Sequence, residues 1–228
     1  MGQAWHDYVE RPKTCAPDDF WGQVRRTVNG QPIPQEQLDM LFFMIRDGLN
    51  FSSDDVLLDL CCGNGAVGKE FFDDIKGYLG VDISPILIEI GRKNFQRVPT
   101  HTFLEENLEA YLRAEETPAR FTKVLWFSSM QYFFEHDIRS VLSHLLASFT
   151  GVRQIFIGSI PDTSRANAFF QNRPKERLDD PTSAIGCWFR TDDFQQMAAD
   201  CGWNAEIRLA RPEYYQAHYR FNALLTRR

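Results

Sequence analysis

The chain has 228 residues, 43% of them hydrophobic, so it can bury one substantial core but not those of two large enzymatic domains. Its 25 basic and 31 acidic residues give a formal net charge of −6, and no basic run of the kind that neutralises nucleic-acid phosphates is visible. We therefore expect a small-molecule partner rather than a nucleic acid. No apolar stretch approaches the roughly 20 residues needed to span a bilayer, and the first residues lack a secretory-signal pattern. A cytoplasmic protein without a membrane partner is expected.

The chain contains five cysteines, an odd number without any pair in a C-x-x-C spacing. This pattern argues against a disulfide framework and against a zinc cage. We therefore expect reduced thiols and no metal site. The cysteines are Cys15, Cys61, Cys62, Cys187 and Cys201.

Residues 1–50 are predicted to form an N-terminal helical prelude, and residues 51–228 the main domain. Within the prelude, residues 35–49 carry apolar side chains at helical spacing, and Gly48 is interpreted as the stop signal of that helix. Two alternatives stay open for the earlier part of the prelude: a lid over a bound ligand, or a segment that only packs on the domain. The residues that suggest a lid are Trp5, Tyr8, Phe20, Trp21, Arg25 and Arg26.

From residue 55 onward, short apolar runs alternate with helical stretches, which predicts an α/β fold with a mostly parallel sheet covered on both faces. The predicted strands are 56–60, 78–82, 101–104, 124–128 and 154–160, with helices near 66–75, 85–97 and 135–149. After a polar insert at 161–186, Thr191 is predicted to cap a helix. Strands at 203–209 and 219–225 are then predicted to pair as an antiparallel hairpin that finishes the sheet.

Residues 56–68 read Val-Leu-Leu-Asp-Leu-Cys-Cys-Gly-Asn-Gly-Ala-Val-Gly, an apolar strand that runs into a glycine turn. Because glycines allow a sharp turn and the close approach of a ligand, the turn predicts a site for a nucleoside-like ligand. The spacing Gly63-x-Gly65-x-x-Gly68 also fits the dinucleotide fingerprint, in which a pyrophosphate lies on a helix N-terminus. Asp59, in the strand before the turn, would oppose a pyrophosphate and suits a cationic ligand. Asp82, which ends the next strand, can accept hydrogen bonds from vicinal ribose hydroxyls of either ligand.

At these residues the chain resembles the class I S-adenosylmethionine-dependent methyltransferases. The strand and turn from Asp59 to Gly65 are similar to the first motif of that family, with Cys61 in place of its first glycine. Asp82 is similar to the acidic residue that closes the family's second strand, and Asn107 to the residue near the adenine. The resemblance covers residues 50–160 well and residues 187–226 more loosely.

The resemblance implies a Rossmann-like, doubly wound, mostly parallel seven-stranded sheet with an antiparallel C-terminal strand. It also implies S-adenosylmethionine as the cofactor. The residues expected to bind it in the first three motifs are Asp59, Cys61, Gly63, Asn64, Gly65, Asp82, Ile83, Asn107 and Leu108.

Three residues beyond the fourth strand are further site predictions. Ser128 and Gln131 follow that strand, where side chains of an open α/β sheet face the ligand crevice, and are expected to contact cofactor or acceptor. His136 lies just after them and is the predicted proton acceptor, because histidine titrates near neutral pH.

The sequence thus predicts S-adenosylmethionine-dependent methyl transfer to an oxygen or nitrogen of a small acceptor, of sugar or secondary-metabolite type. Two alternatives stay open. One is a non-catalytic nucleoside-binding protein of the same fold, and the other is an NAD-dependent oxidoreductase. The oligomeric state is left open.

Overall fold

The computed structural model describes residues 3–228, with the side chains from Tyr8 onward, and begins with the elements of the prelude. These are α1 (Gln3–Thr14), α2 (Phe20–Gln23), a two-stranded ribbon of β1 (Thr27–Val28) and β2 (Gln31–Pro32), and α3 (Gln35–Leu49). A turn at Asn29 and Gly30 joins the two strands of the ribbon. The side chain of Trp5, named for the lid, lies outside the described residues.

A seven-stranded sheet forms the centre of the main domain. Its strands are β3 (Val56–Leu60), β4 (Gly77–Asp82), β5 (His101–Glu105), β6 (Lys123–Phe127), β7 (Gln154–Pro161), β8 (Trp203–Arg208) and β9 (Arg220–Arg227). Their order in the sheet is β5-β4-β3-β6-β7-β9-β8, and β9 runs antiparallel to both of its neighbours. The predicted fold, a doubly wound and mostly parallel sheet with an antiparallel C-terminal strand, is confirmed.

Helices cover both faces of this sheet. They are α4 (Pro85–Phe95), α5 (Leu108–Ala114), α6 (Glu135–Ser148), α7 (Ala166–Phe169) and α8 (Thr191–Asp200), with short 3₁₀ helices between several of them. Because side chains alternate along a strand, Leu58 and Trp126 join the core cluster that includes residues of α6 and α8. Leu57 and Leu125 join the opposite cluster, which α3 completes.

The strand order reverses between β3 and β6, and this position fixes where a ligand can bind. The chain leaves β3 toward β4 and β5 on one side, and returns through β6 and β7 on the other. In open α/β sheets, ligands bind outside the carboxyl ends of the strands at such a switch point. The residues after Leu60, Asp82 and Phe127 therefore border one crevice.

Three local predictions need correction. Gly48 does not stop α3, which ends at Leu49 with Asn50 in the left-handed conformation at φ 44°. A Cβ on Gly48 would lie 2.5 Å from the ring of Phe156, so this glycine serves helix-to-sheet packing. The helix expected at 66–75 is a 3₁₀ helix, Gly68–Asp74. The N-cap of α8 is Arg190 rather than Thr191.

The polar insert predicted at 161–186 contains α7 and two short 3₁₀ helices, Thr163–Arg165 and Phe170–Asn172. Its aromatic residues form a third apolar cluster with Trp188 and Tyr219. No helix among residues 3–228 is long and apolar enough to cross a membrane.

Candidate active site

The carboxylate of Asp82 stands at the carboxyl end of β4 and is held from two sides. The backbone N–H of Gly63 donates to Oδ2 at 2.8 Å, and that of Ser84 donates to Oδ1 at 2.9 Å. The hydroxyl of Tyr8, from α1, also donates to Oδ2 at 2.8 Å. Burial raises the pKa of Asp82, and these three donors oppose that shift. The glycine turn and the end of β4 are thus joined at one carboxylate.

The turn itself has a strained backbone at the position where the family has glycine. Gly63 and Gly65 have positive φ angles of 59° and 76°, and Cys61 has one of 57°. A non-glycine residue in the left-handed region costs about 1–3 kcal/mol and persists only where its surroundings enforce it. Cys61 therefore adopts the left-handed conformation without being glycine. A Cβ on Gly65 would overlap the ring of Phe103, so that position also requires glycine.

The side chain of Asn64 connects the turn to the prelude. Its Nδ2 donates to the carbonyl of Phe20 at 2.8 Å and to Oε1 of Gln23 at 2.9 Å, and its Oδ1 accepts from Ala66 N–H at 3.1 Å. Asn64 is buried. It thus holds α2 against the turn.

Asp59 lies beneath the turn, inside β3, and is buried. The hydroxyl of Tyr78 donates to its Oδ2 at 2.9 Å. Burial raises the pKa of Asp59 to about 7, and the nearby charge of Asp82 adds to this while the hydrogen bond from Tyr78 opposes it. The free protein therefore holds a carboxyl group here that titrates near neutrality.

Among the residues expected near the adenine, Ile83 and Asn107 are exposed and Leu108 is not. Ile83 is 42% exposed although it directly follows Asp82, so an apolar side chain faces the crevice beside the carboxylate. Asn107 is the N-cap of α5, with Oδ1 accepting from the N–H groups of Glu109 and Ala110. Leu108 is buried in the core.

The loop after β6 turns sharply at the predicted contact residues. Ser128 has a positive φ of 63°, and its N–H donates to the carbonyl of Gly158 at 2.9 Å. Gln131 is buried, with Nε2 bonded to the carbonyl of Ser128 at 3.1 Å. Its Oε1 is buried and lacks a hydrogen-bond partner among the described residues.

His136, the predicted proton acceptor, lies on the surface at the first turn of α6. Its side chain is 79% exposed, its ring stacks on Phe134 at 5.6 Å, and its Nε2 is 3.1 Å from Asp137. Among the described residues it has no contact with the glycine turn or with Ser128 and Gln131. Its catalytic role stays a prediction.

The five cysteines are free thiols. Burial and the nearby carboxylates of Asp59 and Asp82 raise the pKa of both Cys61 and Cys62, which keeps these thiols protonated. No group of three potential metal ligands occurs among residues the structure describes. Neither thiol is therefore a thiolate nucleophile in the free protein, and the cofactor contact of Cys61 stays a prediction.

The structure does not favour the dinucleotide interpretation of the turn. That fingerprint needs an α-helix whose N-terminus faces the pyrophosphate. Here a 3₁₀ helix follows the turn, and Gly68 makes room for Tyr78, whose ring would lie 2.5 Å from a Cβ at that position. Gly68, the third glycine of the matching string, is thus explained by its packing against Tyr78.

Two residues of this region were not predicted in their observed roles. The contact of Tyr8 with Asp82 joins residues 74 positions apart, and no local pattern indicates it. Arg220 is buried at the start of β9, where its guanidinium donates to the carbonyl of Ser159. The signal for Arg220 was present in the sequence, since it is a charged residue between Tyr219 and Phe221 in a strand that is otherwise largely apolar.

Comparisons with known proteins agree with this geometry. A family model described as a methyltransferase domain matches residues 57–149. An uncharacterised methyltransferase of Schizosaccharomyces pombe is 31% identical over 77 residues, which are 34% of this chain and 28% of that protein. An uncharacterised RNA methyltransferase of Streptococcus mutans is 31% identical over 71 residues, which are 31% of this chain and 16% of that protein. The matched segments thus span only a minor part of the length of these relatives.

Among solved structures, magnesium protoporphyrin IX methyltransferase from Synechocystis, with bound S-adenosylhomocysteine, superposes with a TM-score of 0.60 at 15% identity. The match covers 100% of this chain and 95% of that one. At this identity the match shows a shared fold.

Proposed function

We propose that this chain, whose residues 57–149 match a methyltransferase-domain family model, is a class I S-adenosylmethionine-dependent methyltransferase that transfers a methyl group to an oxygen or nitrogen of a small acceptor. The family match supports an enzyme that uses S-adenosylmethionine. The acceptor class, of sugar or secondary-metabolite type, and the roles of individual residues are part of the proposal.

The observation that carries the proposal is the position of the Asp82 carboxylate. Gly63 and Ser84 fix it by backbone hydrogen bonds at the end of β4, and Ile83 presents an exposed apolar side chain beside it. A carboxylate can accept hydrogen bonds from two vicinal ribose hydroxyls, and an apolar wall suits an adenine ring. The hydroxyl of Tyr8 already occupies one acceptor position, so a hydroxyl donor is accommodated there. These residues fit the nucleoside half of the cofactor.

When bound, S-adenosylmethionine supplies an electrophilic methyl group on a sulfonium. The chain contributes binding, orientation and the exclusion of water. Gly63 and Gly65 let the backbone turn sharply at positive φ angles, and Asp59 places a titratable carboxyl beneath the turn. Ser128 and Gln131 are proposed to orient cofactor or acceptor at the end of β6. The part of the prelude held by Asn64 covers the turn from outside.

A small acceptor is proposed because the chain has a net charge of −6 and lacks a basic run. The similarity to an RNA methyltransferase is confined to 71 residues. Methylation of RNA is therefore the alternative that the turnover assay must distinguish.

The first measurement is a calorimetric titration of the purified protein with S-adenosylhomocysteine and, separately, with NAD. We expect binding of S-adenosylhomocysteine only. Binding of NAD alone would contradict the proposal and support an oxidoreductase.

The second measurement is the production of S-adenosylhomocysteine from S-adenosylmethionine, read by mass spectrometry, with a collection of small acceptors and with total RNA. Turnover on a small acceptor is expected, and His136→Gln tests the predicted proton acceptor in the same assay. Turnover on RNA alone would overturn the acceptor class. Cofactor binding without turnover on either would identify a non-catalytic binding protein.

A further inference from the structure

Two arginines are buried in the crevice without a carboxylate partner among the described residues. Arg26, in the prelude, is 8% exposed, and Arg220, at the start of β9, is 7% exposed. The Nε atoms of both are buried and have no hydrogen-bond partner. The Arg26 guanidinium lies over the ring of Phe127, with its Cζ atom 5.0 Å from the ring centroid.

Both arginines lie at the carboxyl ends of β6 and β7. Phe127 ends β6 and is paired with Gly158 of β7, whose missing Cβ makes room for the Phe127 ring. Arg220 donates to the carbonyl of Ser159, the next residue of β7. Arg26 and Arg220 are therefore linked through adjacent strand ends. They lie on the β6 and β7 side of the switch point, opposite the side that carries Asp82.

A third buried polar group completes this cluster. The hydroxyl of Tyr214 has no hydrogen-bond partner, and its side chain is 4% exposed. Burial and the neighbouring phenol of Tyr215 raise the pKa of Tyr214, while the positive charges of Arg26 and Arg220 oppose that shift. The ring of Tyr214 belongs to the same apolar cluster as Phe127, over which the Arg26 guanidinium lies. The turn from Tyr214 to Arg220 lies against Ser159, whose hydroxyl donates to Oε1 of Gln216 at 2.8 Å.

The acidic side chain just past β7 does not neutralise the two arginines. Asp162 accepts from the N–H and the hydroxyl of Ser164 and pairs with Arg165 at 3.1 Å. Arg165 also donates to the carbonyl of Ala217 in the same turn. Although the whole chain is acidic, this part of the crevice carries an excess of positive charge.

A guanidinium removed from water is normally paired with a carboxylate or a phosphate, because an unpaired buried charge is unfavourable. Its planar fork of N–H donors matches the oxygens of those groups. We propose that the acceptor carries an anionic oxygen group, a carboxylate or a phosphate, and that Arg26, Arg220 and the hydroxyl of Tyr214 bind it. This inference rests on the proposed function, since it assigns the acceptor half of the same crevice.

The position of Arg26 in the prelude gives the site a second property. The adjacent Arg25 has a positive φ of 57°, and the backbone bends there so that Arg26 is buried. The same segment is fixed to the glycine turn through Asn64 and Gln23. An anionic acceptor would therefore neutralise a charge that the prelude itself buries.

The test uses the full chain saturated with S-adenosylhomocysteine. Inorganic phosphate, benzoate and the uncharged benzyl alcohol are titrated at constant ionic strength, and the melting temperature is measured. We expect a saturable rise with phosphate, benzoate or both, and none with benzyl alcohol. A response to only one anion identifies the phosphate or the carboxylate as the acceptor group. No response to either anion would overturn the inference.

Arg26→Met and Arg220→Met are the test variants, and Arg25→Met removes the same charge from the adjacent exposed position as a control. The concentration of anion at half-saturation should rise at least ~10-fold in both test variants, as expected for the loss of a charge-assisted hydrogen bond, and stay within about twofold in the control. Where Arg220→Met does not fold, Arg220→Lys replaces it and should also weaken binding, since lysine lacks the fork. Unchanged anion binding in the test variants would contradict the assignment.

The ligand-free melting temperature of Arg26→Met separates a binding role from a structural one. A buried cation that awaits a ligand destabilises the free protein, so its replacement by an apolar side chain should raise the melting temperature. A lower melting temperature with unchanged anion binding would mean that Arg26 only packs on Phe127.

The proposed function is tested independently by the calorimetric titration with S-adenosylhomocysteine. If that ligand binds and neither anion does, the inference fails while the proposed function stands. If it does not bind, the proposed function fails, and the anion titrations are judged on the free protein.

Discussion

At the residue scale, the Asp82 carboxylate accepts hydrogen bonds of two kinds, from backbone N–H groups and from the Tyr8 hydroxyl. The N–H groups of Gly63 and Ser84 set the carboxylate's orientation, whereas the Tyr8 hydroxyl occupies an acceptor position that a ribose hydroxyl can take. Asp82→Ala should weaken the binding of S-adenosylhomocysteine by about 1.5–3 kcal/mol, the scale of hydrogen bonds to a charged group. Isothermal titration calorimetry measures this loss.

Tyr8→Phe is the matched control for that variant, because it removes the donor to Asp82 and leaves the carboxylate in place. Its affinity for S-adenosylhomocysteine should be equal to that of the wild type or higher. An unchanged dissociation constant in Asp82→Ala, with the protein folded, would remove Asp82 from the cofactor site.

The raised pKa of Asp59 predicts that the stability of the folded protein depends on pH. Its pKa in the folded protein is about 7, well above the ordinary value of about 4 for an exposed aspartate. Between these two values the folded state binds a proton that the unfolded state has lost. Stability should therefore fall with rising pH across this window, with a slope of up to about 1.4 kcal/mol per pH unit for one proton.

Asp59→Asn isolates this contribution, since the amide cannot ionise and its oxygen can still accept from Tyr78. Urea unfolding across the window between the two pKa values measures both proteins. The free energy of unfolding of the variant, relative to that of the wild type, should increase as the pH rises. Parallel pH profiles would mean that Asp59 ionises normally in the folded protein.

The residue scale also shows which site contacts a sequence can reveal. Gly63 and Asp82 belong to a short linear motif, and each lies where the motif predicts. Asn64 is in the motif too, but its side chain donates hydrogen bonds to α2 of the prelude. A linear pattern does not specify these contacts. Arg26 contacts Phe127, which shares an apolar cluster with Tyr214, only because the fold brings three distant segments together.

At the scale of elements, the prelude is the part whose function is most open to test. The prelude is joined to the glycine turn by the hydrogen bonds of Asn64, and Trp21 packs on Phe42 of α3 with ring centroids 6.0 Å apart. Deletion of residues 1–30 should leave the seven-stranded sheet folded, because every strand of that sheet and α3 lie outside the deletion. It should lower turnover more than thermal stability, since a lid excludes water and fixes the approach of the reactants.

Circular dichroism of the truncated protein tests the first half of this prediction, and turnover on the identified acceptor tests the second. Asn64→Ala is a milder companion variant that cuts the hydrogen bonds to the prelude without removing the chain. An unfolded truncated protein would mean that the prelude is structural. A folded one with normal affinity and turnover would exclude a lid.

The strands and α3 were predictable because their signals are local. Buried parallel strands read as apolar runs, as in β4 and β6, and α3 has apolar side chains at helical spacing. The role of Gly48 was misinterpreted, and the spacing of Gly68 matched the dinucleotide fingerprint, because the reason for each glycine is tertiary packing. Each makes room for an aromatic ring that belongs to a strand of the sheet, and no local pattern carries that information.

At the scale of the whole molecule, the strand order determines which polar residues lie on each side of the crevice. The ends of β3 and β4 carry the glycine turn and Asp82, while the ends of β6 and β7 carry Ser128 and the carbonyl that Arg220 binds. A ligand that spans the switch point contacts both halves. Binding on one side should therefore stabilise the whole folded chain, because all these strands belong to one sheet.

This coupling gives the last prediction, a selective rise of the melting temperature with S-adenosylhomocysteine and none with NAD. A ligand that binds only the folded state at about 100 times its dissociation constant adds about 2.7 kcal/mol of stability. For a domain of this size each kcal/mol raises the melting temperature by about 2–4 °C, so a rise of about 5–10 °C is expected. Differential scanning fluorimetry measures it, and Asp82→Ala serves as the variant in which the rise should be much smaller at the same concentration. We expect no shift with NAD, because a 3₁₀ helix after the glycine turn gives a pyrophosphate no α-helix N-terminus to bind. Equal shifts with both ligands, or a shift with NAD alone, would reverse the cofactor assignment.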